Sequence, residues 1–253
     1  MKFVEITSAT NPQFKIFKSL LSAKGIKENG LFLLSGEKLV TEFLKNPPLG
    51  FQVEFVLFDD ELKVQSKAKV TRLARELFHE VDLLGTHFNL LVISFKEFPV
   101  IDFNSTPRGL ELICPLGDPR NLGSITRTAL AFGVRTMILS SEAAHPFLPQ
   151  SIKASAGAVL HIQFLRAGKR LSEIPLVEEN FALELHGTPL HQTKWPKNLR
   201  LWVGEEGPGL QLTLEQKRQM KFITIPTENV ESLNAGVSMS LAMWEWKKNT
   251  SSI

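Results

Sequence analysis

Between residues 110 and 226, short apolar runs recur with amphipathic stretches between them. LELICPL (110–116), VRTMILS (134–140), AVLHIQFLR (158–166), FALEL (181–185), LRLWVG (199–204) and FITIP (222–226) each read as a strand. SITRTALAF (124–132), a segment at 150–156, LTLEQKRQM (212–220) and the stretch 233–248 carry helical spacing. Thr213 followed by Gln216 is a capping-box signature, which marks that helix start. Short apolar strands alternating with helices predict an α/β domain with a mostly parallel sheet and helices on both faces. Its glycines fall after the strands, at the edge where open α/β sheets take ligands.

The first half shows a looser alternation. Its pattern predicts a helix over 11–23, a strand at LFLLSG (31–36), a helix at EKLVTEFLK and a strand at FQVEFVLFD. A further strand and helix fall within 68–84, and NLLVISF (89–95) closes a small α/β unit. KEFPVIDFNSTPRG (96–109) has two prolines, a glycine and an Asn-Ser-Thr cluster, which is linker chemistry. The expected organisation is a domain over 1–98, a linker over 99–107 and a second domain over 108–253.

Composition narrows the class. The 253 residues are 43% hydrophobic and 22% charged, ordinary for a globular protein. No apolar run is long enough to span a bilayer, and the N-terminus lacks the apolar core of a secretory signal. The single cysteine, Cys114, excludes an internal disulfide and lies in an apolar run, as a buried small hydrophobe does. These features predict a cytoplasmic protein with no membrane partner and no metal site. Net charge is only +3, but Lys2, Lys15, Lys18, Lys24 and Lys27 oppose Glu5 alone in the first 27 residues. Lys63, Lys67, Lys69, Arg72 and Arg75 form a second run without an acid. Each run alone reads as a solvated face; two in one half point toward a polyanion.

Three stretches carry candidate chemistry. In DPRNLGSITRTALAFG (118–133), Ser124 reads as an N-cap, which would put Arg127 at the third helical position, where the helix dipole disfavours a cation. Either that arginine turns out to water or it meets an anion beside exposed backbone N–H groups. LWVGEEGPGL (201–210) delivers a strand into a turn with three glycines, loose enough for close approach to a ligand, yet it is neither a P-loop nor a dinucleotide fingerprint. In ITIPTENVESLNAGVSMS (223–240), Ser232 and Asn234 stand at the entry to an apolar helix, where either serves as an N-cap.

Taken in order, these stretches resemble the signature motifs of the SpoU (TrmH-type) RNA ribose methyltransferases of the SPOUT superfamily. The first matches through Asp118, Pro119, Asn121, Gly123, Ile125, Arg127, Thr128 and Ala129, then Ala131, Phe132 and Gly133. The second matches through Gly204, Glu206, Gly207, Gly209 and Leu210, and the third through Ile225, Pro226, Ser232, Leu233 and Asn234. KASAGA (153–158) is similar to a further family segment in which arginine often stands for Lys153. The loop after Ile225-Pro226 reads TENVE where many members have a glycine. The resemblance covers 108–248 well. The first half looks more loosely like the family's L30e-like substrate-binding domain.

That resemblance implies a deep C-terminal trefoil knot, a homodimer, and S-adenosyl-L-methionine as cofactor. It implies cofactor contacts at Gly204, Glu205, Gly209, Ile225, Pro226 and Leu233. It implies 2′-O-methylation of a ribose in structured RNA, with rRNA favoured over tRNA. Arg127 would be central, and Asn121, Glu206, Ser232 and Asn234 would complete the catalytic set. A guanidinium has a pKa above about 12, so Arg127 is better suited to bind a phosphate and stabilise a forming alkoxide than to act as a base. The competing expectation is a non-catalytic RNA-binding module on the same fold.

Overall fold

A computed structural model of the chain describes residues 3–176, 179–204, 209–230 and 233–250. In chain order its first elements are β1 (Val4–Ile6), α1 (Pro12–Ser19), α2 (Ala23–Asn29), β2 (Leu31–Leu34), α3 (Glu37–Lys45), β3 (Phe51–Phe58), β4 (Lys69–Leu73), α4 (Arg75–Val81) and β5 (Leu90–Phe95). Then come β6 (Leu110–Cys114), α5 (Pro119–Ala131), β7 (Thr136–Leu139), α6 (Pro149–Ala154), β8 (Gln163–Arg166), β9 (Asn180–Pro189), β10 (Leu199–Trp202), α7 (Leu214–Gln219), β11 (Lys221–Thr224) and α8 (Ala235–Thr250). The chain divides into two compact units, Met1–Glu97 with His145–Leu160, and Phe98–Ala144 with His161–Ile253.

The first unit is built on a mixed sheet of order β1-β4-β3-β5-β2, in which β5 runs antiparallel to both neighbours. One face buries Phe14, Phe17, Leu20, Leu57, Leu73 and Phe78. The expected helix over 11–23 is two helices. The Asn11 side chain accepts from the backbone N–H groups of Gln13 and Phe14 to start α1. Ser22 accepts from Gly25 N–H to start α2. Gly25 permits the tight corner, since a Cβ there would lie 2.1 Å from the Ser19 carbonyl oxygen.

Residues 145–160 belong with the first unit, although their place in the chain led to the expectation that they sit in the second. The reason is aromatic packing. Phe147 stacks on Phe32 of β2 at 4.5 Å between ring centroids and meets Phe51 and Phe95 edge-on. The α6 helix then ends in a Schellman turn, with Gly157 N–H donating to the Ile152 carbonyl and Ala156 N–H to that of Lys153. Ala156 and Gly157 are both left-handed there, at φ +49° and +84°. A short 3₁₀ turn at Ala158–Leu160 follows, so the strand expected over 158–166 begins only at Gln163.

The second unit carries a six-stranded sheet of order β11-β9-β10-β6-β7-β8, parallel at every pairing. This is the expected α/β architecture. The capping box forms as read: Gln216 N–H donates to the Thr213 hydroxyl, and Thr213 N–H donates to Gln216 Oε1. The Gln216 amide nitrogen also donates to the carbonyls of Leu171 and Ile174, tying that loop to α7. The segment expected as a linker is held to this unit. Val100 bridges Arg166 beside β8, and the buried Arg200 guanidinium donates to the carbonyls of Phe103 and Ser105 and to the Glu111 carboxylate. β9 runs longer than FALEL. Its register against β11 jumps from Ala182 to Thr188. The intervening residues bulge outward, with the Thr224 hydroxyl donating to the Leu185 carbonyl. Among the described residues, no helix is long and apolar enough to cross a membrane.

Candidate active site

The chain leaves β6 for β7 on one side of the sheet, while β10 lies against β6 on the other. Their carboxyl ends therefore flank a topological switch point, the usual ligand crevice of an open parallel sheet. All three signature stretches leave strands at this edge: residues 115–118 after β6, 203–204 after β10 and 225–226 after β11.

The helix after β6 begins earlier than expected, and Ser124 is not its cap. Asp118 is the N-cap, its carboxylate accepting from the backbone N–H groups of Arg120 and Asn121 at 2.7 and 3.0 Å, with Pro119 in the first turn. Aspartate followed by proline is a strong start signal, because proline has no N–H to orphan and its φ suits the helix. Arg127 therefore stands in the third turn, beyond the helix-terminal field invoked for it. The first-turn arginine is Arg120. Sequence reading passed over it; the Asp-Pro pair was the signal that would have found it.

α5 buries Leu122, Gly123, Ile125, Thr126 and Ala129. The Thr126 hydroxyl is taken by the Leu122 carbonyl and the Met137 sulfur. Arg120, Ser124, Arg127 and Ala131 form the opposite, exposed stripe. Neither the Arg120 nor the Arg127 guanidinium makes a hydrogen bond or ion pair with a described residue, a state shared with the exposed Arg108 and Arg135 and not with Arg166, Arg200 and Arg218. Asn121 is half-buried in the first turn, beside the end of β6.

Asn234 is exposed, and its side-chain oxygen accepts from Val237 N–H at 3.2 Å. It is therefore the residue that caps α8. Gly209 is left-handed at φ +64°, a conformation that favours glycine. A Cβ on Gly204 would make only ordinary contacts with Gly209 and Leu210, so packing does not demand glycine there. Ile225 and Leu233 are half-buried and Pro226 is exposed. Glu205, Glu206 and Ser232 lie outside the described residues. The structure thus brings Asn121 and Arg127 onto one helix, and Gly204 and Ile225 onto the edge from which that helix departs.

Residues 112–244 match the family model described as the SpoU rRNA Methylase family. The chain is 27% identical, over 95% of its length and 98% of the relative's, to the 23S rRNA (guanosine(2553)-2′-O)-methyltransferase RlmP of Bacillus subtilis. It is 32% identical over 98% of its length to a protein of Syntrophobacter fumaroxidans named ribosomal RNA small subunit methyltransferase G 2, but spans only 50% of that longer polypeptide. Among solved structures it is similar to an RNA methyltransferase of the TrmH family from Porphyromonas gingivalis, at 25% identity and TM-score 0.74 over 94% of this chain and 98% of that one. It shares its fold with the AdoMet-bound rRNA methyltransferase of Sinorhizobium meliloti, at 23% identity and TM-score 0.76 over 98% of both chains. With more than half its length inside the family model, and with the motif-bearing segments at one edge of a parallel sheet, the chain belongs to the SpoU rRNA methylase family.

Proposed function

We propose that this protein methylates the 2′-hydroxyl of a ribose in structured RNA, with 23S rRNA as the substrate. The observation that carries this is the unpaired, exposed Arg127 on the helix leaving β6, at the edge where the segments from β10 and β11 also end. The match along nearly the whole of RlmP favours 23S rRNA over tRNA.

S-adenosyl-L-methionine supplies an electrophilic methyl group when bound. The residues suit it: half-buried Ile225 after β11 and Leu233 before α8 offer apolar surface, and the left-handed Gly209 and unforced Gly204 leave backbone accessible. Glu205 and Pro226 belong to the same walls by family resemblance. That methyl group would pass to the ribose oxygen, and the part of this chain is to hold the hydroxyl in place and steady its charge as the proton leaves to solvent. Arg127 holds the neighbouring phosphate and stabilises negative charge developing on the ribose oxygen. Asn121 orients the ribose from the first turn of α5. Glu206, Ser232 and Asn234 complete the set by resemblance, Asn234 also capping α8.

A homodimer is part of the same reading. Val237, Leu241 and Trp244 lie at i, i+4 and i+7 along α8, 50%, 39% and 49% exposed, an apolar stripe that a second copy would cover. A trefoil knot belongs to it as well by family resemblance, and the entry of β10 between β6 and β9, strands that precede it in the chain, is compatible with one. The first unit would grip the RNA as an L30e-like domain, and action on ribosomal RNA would place the protein in the cytoplasm.

The test is methyl transfer from radiolabelled S-adenosylmethionine to unmodified 23S rRNA, 16S rRNA and bulk tRNA, with Arg127→Ala alongside. The expected result is label in 23S rRNA, alkali-resistant at one linkage and absent with the variant. Label only in tRNA would move the substrate. RNA binding without transfer to any of the three would favour the non-catalytic module.

A further inference from the structure

Arg120 has no assigned part in the reading above, yet its placement matches that of Arg127. Arg120, Ser124, Arg127 and Ala131 follow one another at helical spacing and are the exposed residues of α5. Seven residues return the helix to nearly the same face, so the two arginines project from one stripe about 10 Å apart along the axis. The stripe carries no acid. The carboxylate at the head of the helix, Asp118, is committed to the Arg120 and Asn121 N–H groups. That commitment matters in two ways. It offsets the helix-end field that would disfavour a cation at Arg120, and it occupies the backbone donors, so any anion arriving there meets the side chain.

We propose that Arg120 binds a backbone phosphate of the substrate RNA flanking the nucleotide held at Arg127, so that α5 carries a two-point clamp along one RNA strand. The inference rests on the 2′-O-methyltransferase reading for the identity of the anion. A polynucleotide presents regularly spaced phosphates, and two unpaired guanidinium groups on one acid-free stripe match a strand better than a single small anion. Arg120 here is a substrate-binding residue. It adds affinity for the strand that carries the reacting ribose, equally in the ground and transition states.

The experiment measures binding of unmodified 23S rRNA transcript across a potassium chloride series, for the wild type, Arg120→Gln, Arg120→Lys and Arg135→Gln. Arg135, exposed just before β7, lies at the opposite edge of the sheet and serves as the control. Loss of one phosphate contact in Arg120→Gln should reduce the slope of log affinity against log salt by about 0.7–0.9. Arg120→Lys should restore it, because a point charge suffices for a phosphate, and Arg135→Gln should match the wild type. In methyl transfer, Arg120→Gln should raise KM for RNA about tenfold with kcat at saturating RNA near that of wild type, as for an interaction made equally in ground and transition states. An unchanged slope and KM in Arg120→Gln would overturn the proposal. So would a loss of S-adenosylmethionine affinity measured without RNA, since the guanidinium would then serve the cofactor carboxylate. The salt slope is read on binding alone. A wild type that binds RNA but transfers no methyl group would therefore sink the functional reading without deciding this one.

Discussion

The first unit is rich in exposed cations and pairs or pins five of the ten in its two basic runs; the second buries one ion pair and leaves two guanidinium groups open on α5. In the first, Lys18 meets Glu80, Lys24 meets Glu28 and Arg72 meets Glu5, while Lys63 and Lys69 sit over the rings of Phe88 and Phe55. Lys15, Lys27, Lys67 and Arg75 remain without such partners among the described residues. Exposed pairs contribute at most about 1 kcal/mol each, so they are readily exchanged for phosphate, but they reduce the field that two basic runs suggest. In the second unit Arg200 is almost wholly buried against Glu111. Two isolated arginines in an uncharged helical stretch thus stay free of described partners, where half of the ten cations in runs do not.

The sharpest way to break this comparison is at the buried pair. Glu111→Ala leaves the Arg200 charge uncompensated in the core and should cost about 3–5 kcal/mol of stability, read as a lower urea midpoint. A midpoint within error of wild type would show that water reaches Arg200. Next in size is Arg127→Lys. It keeps a charge for phosphate but loses the planar fork, so RNA affinity should persist while turnover falls about 10²–10³-fold; near-normal turnover would remove Arg127 from the centre of the mechanism.

The first unit gives the smaller effects. Burial pushes the His145 imidazole down from 6.5 to about 3, and the Lys27 ammonium adds to the shift. Its Nδ1 accepts from Phe147 N–H, as a neutral ring does. Protons therefore bind the unfolded chain first as pH falls below 6.5. The stability that His145 supplies is complete above that value and is lost progressively toward pH 3, by about 2 kcal/mol at pH 5. His145→Leu should flatten that portion of the pH–stability curve, and a curve parallel to wild type would show the imidazole to be hydrated. Smallest is Ala156→Gly. Relieving a left-handed alanine at the Schellman turn should stabilise by up to about 1 kcal/mol, checked by thermal melting.

Much of the second unit's sheet was legible in the chain because each strand is a short apolar run and each helix carries its own start signal, as at Thr213 and Gln216. Three features were not. The α5 boundary moved because Asp118 competes with Ser124 as a cap and holds two backbone N–H groups, a choice decided by which start continues directly from β6. The 145–160 segment joined the first unit because Phe147 finds Phe32, Phe51 and Phe95, residues far from it in sequence. The strand expected at 158–166 lost its first half to a helix-ending turn whose left-handed residues include an alanine that no turn rule selects.

The sequence by itself determined the alternation of strands and helices and the order of three motifs at strand ends, because hydrophobic period and backbone-specific residues act locally. Only the tertiary structure decided strand order, which unit owns residues 145–160, and which charges are free. Those outcomes depend on contacts between residues distant in the chain: a carboxylate that neutralises a lysine 62 residues away at Glu80, or a glutamate that holds Arg200 across 89 residues, leaves no trace in the local pattern around either partner.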